Sequence, residues 1–297
     1  MRTKNRVIIG VRYPTDTQEA RPFFAAIRRC GIGLLGLLVF CLQALQPAAA
    51  AAASTLVLHG TRTQPRVALT FDVCQTPGRP TRLDEAVINR LHQQGIPVTL
   101  FMGGDWMRTH PRETRALAAD PLFELANHSW SHPDLRRRTP AQIAAEVQRT
   151  DRELYRLTGR HSRLFRLPFG YYNDATLSTL AALGVEVIQW DVVSADPDPH
   201  MTAAHLLRTL KKGVRNGSIV VMHANGRGWH TAEALPGIIA LLRARGLQPV
   251  TVSQLLAVDQ PECRVPLAAG RCVPVPARWP DPGVLLSLGG ESGGFAF

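Results

Sequence analysis

The sequence predicts an α/β domain on a parallel sheet, and three observations carry the prediction. Beyond residue 65 short apolar runs recur, each followed by a stretch of helical pattern; near-continuous apolar strands separated by helices mean a parallel sheet covered on both faces. Helix-stop glycines and N-capping residues punctuate the helical stretches at the expected places. The reactive side chains follow the carboxyl ends of the apolar runs, the face on which parallel α/β folds assemble their sites. About seven strand-helix units in sequence describe either a barrel or an open doubly wound sheet. No G-x-G-x-x-G follows the first strand and no P-loop is found, which argues against a nucleotide-binding sheet.

The elements follow in order. Val67–Phe71 reads as the first strand, with a helix over 84–94 stopped by Gly95. Val98–Phe101 is the second strand, followed by one helix over 106–118. Leu122–Ala126 is the third, and the helix over 141–157 is opened by Thr139-Pro140 and closed by Gly159. Leu164-Phe165 is the fourth, with a helix over 175–183 opened by Asp174 and closed by Gly184. Val185–Ile188, a helix over 203–214, Ser218–Met222, a helix over 231–245 stopped by Gly246, and Pro249–Val252 complete the alternation.

The flanks differ in composition. Before residue 54, seven Arg and Lys stand against Asp16 and Glu19, and Arg28-Arg29 precede the apolar stretch Gly31–Leu45 and an alanine run, the plan of an export signal. The apolar stretch is shorter than the roughly 20 residues that span a bilayer comfortably, so export is expected, with a retained anchor as the alternative. From 259 onward Pro and Gly dominate, and the tail reads as irregular. The predicted organisation is an extension over 1–53, an α/β domain over 54–258 that carries the candidate site and a tail over 259–297. Of the 5 cysteines, Cys30 and Cys41 fall in the signal; Cys263 and Cys272 are a candidate disulfide in an oxidising compartment; Cys74 is left over. The formal charge of +11 is spread rather than concentrated, and no zinc-finger or RNP-type motif accompanies it, so nucleic acid is not an expected partner. A membrane is expected only through the N-terminal segment.

The reactive residues are Asp72 after the first strand, His128 and His132 after the third, Arg166 at the end of the fourth, Asp191 and Asp196 after the fifth and His223 at the end of the sixth. Two imidazoles four residues apart can close on one metal ion, and their placement among these strand ends lifts the pair above chance.

At these residues the chain resembles the polysaccharide deacetylase family, the NodB-homology carbohydrate esterases, over roughly residues 65 to 255. The matching elements are Leu69-Thr-Phe-Asp72, His128-x3-His132, Arg166-x-Pro168-x-Gly170, the Trp190-Asp191 to Asp196 segment and Met222-His223. The resemblance implies a distorted (β/α)7-type barrel, a divalent metal, usually zinc, and hydrolysis of acetyl groups on sugars. It implies metal ligation by His128 and His132, Asp72 as general base kept ionised by Arg166, and His223 as general acid oriented by Asp196. A backbone N–H near Phe169 would stabilise developing negative charge. Phe169, Tyr171, Trp190 and Trp229 are the candidate substrate-binding aromatics.

One position departs from the family. A second Asp usually follows the first as third metal ligand, and Val73 stands there. Asp84, water, Asp72 itself or the Cys74 thiolate could complete the site, with Asp84 or water favoured. The expected function is an exported, metal-dependent hydrolase removing acetyl groups from N- or O-acetylated sugars of peptidoglycan, poly-N-acetylglucosamine or chitin-like chains. A catalytically silent glycan-binding or envelope-assembly relative and a hydrolase of other non-peptide carbon-nitrogen bonds are the alternatives.

Overall fold

A computed structural model of the chain describes residues 56–75 and 81–257. The predicted export segment and the tail with Cys263 and Cys272 lie outside the described residues. The elements are β1 (Leu56–Val57), β2 (Arg66–Val73), α1 (Glu85–Gln93), β3 (Val98–Met102), α2 (Gly104–Thr109), α3 (Pro111–Ala119), β4 (Phe123–Asn127), α4 (Pro140–Thr158) and β5 (Leu164–Phe165). They continue with α5 (Asp174–Ala182), β6 (Glu186–Ile188), β7 (Val192–Val193), α6 (Ala203–Gly213), β8 (Ile219–His223), α7 (Thr231–Ala244), β9 (Gln248–Pro249) and α8 (Val252–Leu256). Two 3₁₀ turns, Leu135–Arg137 and Pro168–Gly170, follow β4 and β5.

The strands form one sheet in the order β1-β6-β5-β4-β3-β2-β8-β7, with β9 beside β2. Every ladder between named strands is parallel, as the alternation with helices requires. An isolated bridge from His59, just past β1, to Ser218, just before β8, draws β1, at one end of that order, toward β8, the strand next to the other end. The sheet therefore curls into the distorted (β/α) barrel expected from the resemblance.

Side-chain parity sorts the core into layers. Along β2, Val67, Leu69, Phe71 and Val73 pack with Val87, Leu91, Leu235 and Ile238 of the surrounding helices. The intervening Ala68 joins Phe101, Ala126, Leu164, Ile188 and Ile219 in a second cluster on the inner face. Val250, Val252 and Leu255 close that cluster from the strand N-terminal end, where β9 pairs with the start of β2. Each such aliphatic side chain contributes roughly 1.5–3 kcal/mol of burial, so the inner face is a packed core and only its carboxyl rim is free for chemistry.

Two expectations need correction. The single helix predicted over 106–118 is two, α2 and α3, broken at His110 (φ −126°, ψ 56°). Pro111 causes the break, because it lacks an N–H and biases the residue before it away from helical geometry. Asp191 does not reach the carboxyl rim. It bonds Arg62 Nη2, Ser218 Oγ and the backbone N–H of Ile219, at the start of β8 and the opposite end of the barrel.

Candidate active site

The same parity that buries Ala68 carries Thr70 and Asp72 up the inner face of β2. Across the barrel Arg166, one residue past β5, is fully buried beneath them. A buried guanidinium is tolerated only with its donors satisfied. Nη1 donates to Asp72 Oδ1 at 2.9 Å and Thr70 Oγ1 at 2.7 Å, Nε to the Ile188 carbonyl at 3.2 Å and Nη2 to the Gln189 carbonyl at 3.3 Å. Its Cζ lies 3.8 Å from the Phe101 ring centroid. Burial alone would raise the Asp72 pKa, but the positive fields of His128, Arg166 and His223 and the Arg166 hydrogen bond hold it below the ordinary carboxylate value. Arg166 is the permanently charged member of that group, so it is what keeps Asp72 ionised at neutral pH.

The histidine pair sits on a loop that the chain shapes with its own polar groups. Asn127, at the end of β4, donates to the Val147 carbonyl and accepts from the Ser129 N–H; Ser129 Oγ accepts from the His132 N–H. Glu146 on α4 accepts from the N–H groups of Trp130 and Ser131 and from Ser131 Oγ, all at 2.8 Å. A Cβ added to Gly104 would come within 2.3 Å of the Trp130 ring, so glycine there lets the loop lie against α2. His128 Nδ1 donates to the Arg166 carbonyl at 3.0 Å, which fixes the tautomer and leaves a lone pair on Nε2. That Nε2 is buried without a hydrogen-bond partner, 3.6 Å from Asp72 Oδ2.

Burial lowers the pKa of both imidazoles, that of His132 to about 3, so both are neutral near pH 7. The Cys74 thiol stands beside them, and the ligand atoms of Cys74, His128 and His132 all lie within 4.8 Å of one another. Burial and the Asp72 charge push the Cys74 pKa up to about 12. Two neutral imidazoles, one with an orphaned buried nitrogen, and a thiol are a donor set that fits a borderline divalent ion.

His223 completes the rim. Asp72 and His223 are register partners on neighbouring strands, so parity and register place them side by side on the inner face. His223 Nδ1 bonds Asp196 Oδ1 at 2.9 Å, while the other Asp196 oxygen accepts from the His223 N–H and from Thr231 Oγ1. Burial pulls the His223 pKa down, yet the hydrogen bond and charge of Asp196, with the charge of Asp72, carry it above the ordinary value. A Cβ on Gly228 would lie 2.9 Å from Asp196 Oδ2, so the backbone there must approach closely.

The structure thus brings together Asp72, His128, His132, Arg166, Asp196 and His223. Asp84 is engaged differently: its carboxylate caps α1 by accepting from the Val87 N–H, and it lies outside the Cys74–His128–His132 group. The Phe169 ring meets that of His132 at 4.4 Å and neighbours Tyr171, whose ring Arg136 covers. Phe169, Tyr171 and Trp229 are exposed on the rim, whereas Trp190 is half-buried and packed where a Cβ on Gly170 would strike it. Among the described residues the non-glycine positions with positive φ are Ser129, His132, Phe169 and Ala195, every one beside a site residue or itself one. Such strain persists only where the surroundings over-determine it. The structure places Cys74, the least favoured of the candidates for completing the site, beside the histidine pair, and the alternation of Thr70, Asp72 and Cys74 on one face is the sequence signal for that placement.

A sequence profile described as polysaccharide deacetylase matches residues 59–188. The chitooligosaccharide deacetylase of Bradyrhizobium sp. (strain ANU 289) is 29% identical over 216 residues, covering 67% of this chain and 92% of that protein. A solved peptidoglycan N-acetylglucosamine deacetylase superposes with a TM-score of 0.62 at 23% identity, covering 67% of this chain and 91% of the other. A CE4 family pseudoenzyme from Bacillus anthracis superposes with a TM-score of 0.60 at 24% identity, covering 68% of each chain. These two superpositions concern the fold. The chain spans about half or less of the length of the first curated relatives it matches.

Proposed function

We propose, from the premise that the chain belongs to the polysaccharide deacetylase family, that it is an exported, metal-dependent hydrolase that removes acetyl groups from amino-sugar polymers such as peptidoglycan or chitin-like chains. The observation that carries this reading is the pairing of a carboxylate held ionised, Asp72, with a histidine of raised pKa, His223, on adjacent strand ends. Two titratable groups with opposed shifts are what general base and general acid chemistry needs.

The residues divide the work as follows. His128 and His132 would hold a divalent ion, and that ion, when bound, supplies Lewis-acid polarisation of the acyl oxygen and acidifies water. Asp72 takes the proton of the attacking water, and Arg166 keeps its carboxylate charged while it waits. Negative charge then develops on the acyl oxygen, and a backbone N–H near Phe169 is the donor assigned to meet it. His223 delivers a proton to the leaving amine or alcohol, and acetate departs. Asp196 holds His223 in the tautomer with the proton on Nδ1 and stabilises its charged form. Phe169, Tyr171 and Trp229 offer apolar faces on which sugar rings stack.

Purified protein supplied with zinc or cobalt is expected to release acetate from acetylated chito-oligosaccharides or from a small acetyl ester. Failure on all of these, with metal bound and the fold intact, would favour the second reading, a catalytically silent glycan binder. That reading draws on Val73 and on the existence of a pseudoenzyme with the same fold.

A further inference from the structure

We infer that Cys74 supplies the third protein ligand of the metal centre, so that the site is a cysteine-histidine-histidine site with no ligand at position 73. The inference rests on the reading above that His128 and His132 hold a divalent ion. Its first ground is parity. Val73 is fully buried in the apolar layer beneath the helices, packed in the cluster with Met102 and Trp106, so its side chain points away from the rim. Thr70, Asp72 and Cys74 share the inner face, and the alternation that removes position 73 from the site delivers position 74 to it.

The second ground is the orphaned nitrogen. His128 Nε2 is buried, carries a lone pair because Nδ1 donates to Arg166, and has no hydrogen-bond partner. Leaving a buried acceptor unpaired is costly, and a cation shared with the neighbouring sulfur and imidazole would relieve it. The third ground is the support of the sulfur itself. Asn225 is buried and donates through Nδ2 to the Cys74 carbonyl at 2.8 Å, with Sγ at 3.6 Å from the same nitrogen. Thr81 Oγ1 donates to that carbonyl as well. Gly103 lets its own segment lie close against Cys74, since a Cβ there would come within 3.0 Å of Cys74 Cα and Cβ. Residues that fix a ligand's orientation in this way are the usual company of metal sites.

Of the four ways to complete the site, Asp84 is occupied as a helix cap and Asp72 gives one oxygen to Arg166. Coordination converts the thiol to a thiolate, with the S–H proton released to solvent as the metal–sulfur bond forms. A thiolate and two imidazoles select zinc or cobalt over magnesium and manganese, which prefer oxygen.

The test is the absorption spectrum of the full chain loaded with one equivalent of cobalt(II). Sulfur ligation predicts an intense near-ultraviolet sulfur-to-cobalt charge-transfer band, lost in Cys74→Asp while that variant still binds one cobalt. Cys74→Ala is expected to bind cobalt more weakly by at least the roughly 10–100-fold that follows loss of a supporting residue. Circular dichroism checks that each variant folds, and the wild-type spectrum is informative without any variant. A wild-type chain that holds one cobalt with no such band, or a band that persists in Cys74→Asp, overturns the assignment and leaves the metal reading standing. A wild-type chain that binds no cobalt or zinc overturns both.

Discussion

Asp72 and His223 meet because the ladder between β2 and β8 makes them partners, and their opposed pKa shifts suit the base and acid roles proposed for them. Asp72→Asn and His223→Ala are each expected to lower turnover by about 10²–10⁴, with metal content unchanged by elemental analysis. The pH profile separates them. In the proposed mechanism Asp72 must be ionised, so it is expected to set the acid limb, and His223 must be protonated, so it is expected to set the alkaline limb. Removing the Asp196 charge removes what raises His223, and Asp196→Asn is expected to move the alkaline limb of kcat/KM to lower pH. The same pair bears on stability. A histidine whose pKa rises on folding contributes stability that is fully present below its unfolded value, about 6.5, and is lost as pH climbs through the folded value. The gap in melting temperature between wild type and Asp196→Asn is therefore expected to narrow above that window. Most of these residues were legible in the chain because each ends an apolar run. Cys74 was harder to weigh, because a cysteine beside a strand is usually a small core residue until its neighbours are known.

At the scale of elements, the histidine loop owes its shape to a different element, α4. Glu146 bonds two N–H groups and one hydroxyl of the segment between the two histidines. Glu146→Ala is expected to leave helix content intact by circular dichroism and to weaken zinc binding by about 10–100-fold, measured by competition with a chromogenic chelator. The helix itself does not depend on that contact: Thr139 and Gln142 form its capping box and Gly159, at φ 70°, ends it. Those boundaries were visible in the sequence because caps and stops are local chemistry. So was the cause of the break at His110, since Pro111 announces it, although the apolar pattern runs on across it. The two-residue strands β1 and β7 were not anticipated, and their extended form is imposed by the strands they pair with.

On the scale of the whole molecule, a site assembled from the ends of separate strands ties binding to folding. An ion held as proposed by residues on β2, β4 and their loops would bind the native state and not the separated segments, so at about 100 times its Kd it would add roughly 2.7 kcal/mol of stability. For a domain of this size each kcal/mol moves the midpoint by about 2–4 °C; zinc is thus expected to raise Tm by several degrees in a thermal melt, and a chelator to reverse it. The apolar-run and helix alternation, the polar residues at the run ends and the parity that sets Asp72 against Val73 were all fixed by the chain alone, since each depends on neighbours within a few residues. The strand order, the curl that draws β1 toward β8, the burial of Arg166 under Asp72 and the meeting of Cys74 with His128 and His132 were decided only by tertiary structure. Those features join segments tens of residues apart, and local periodicity says which face a side chain takes but not which distant face it will meet.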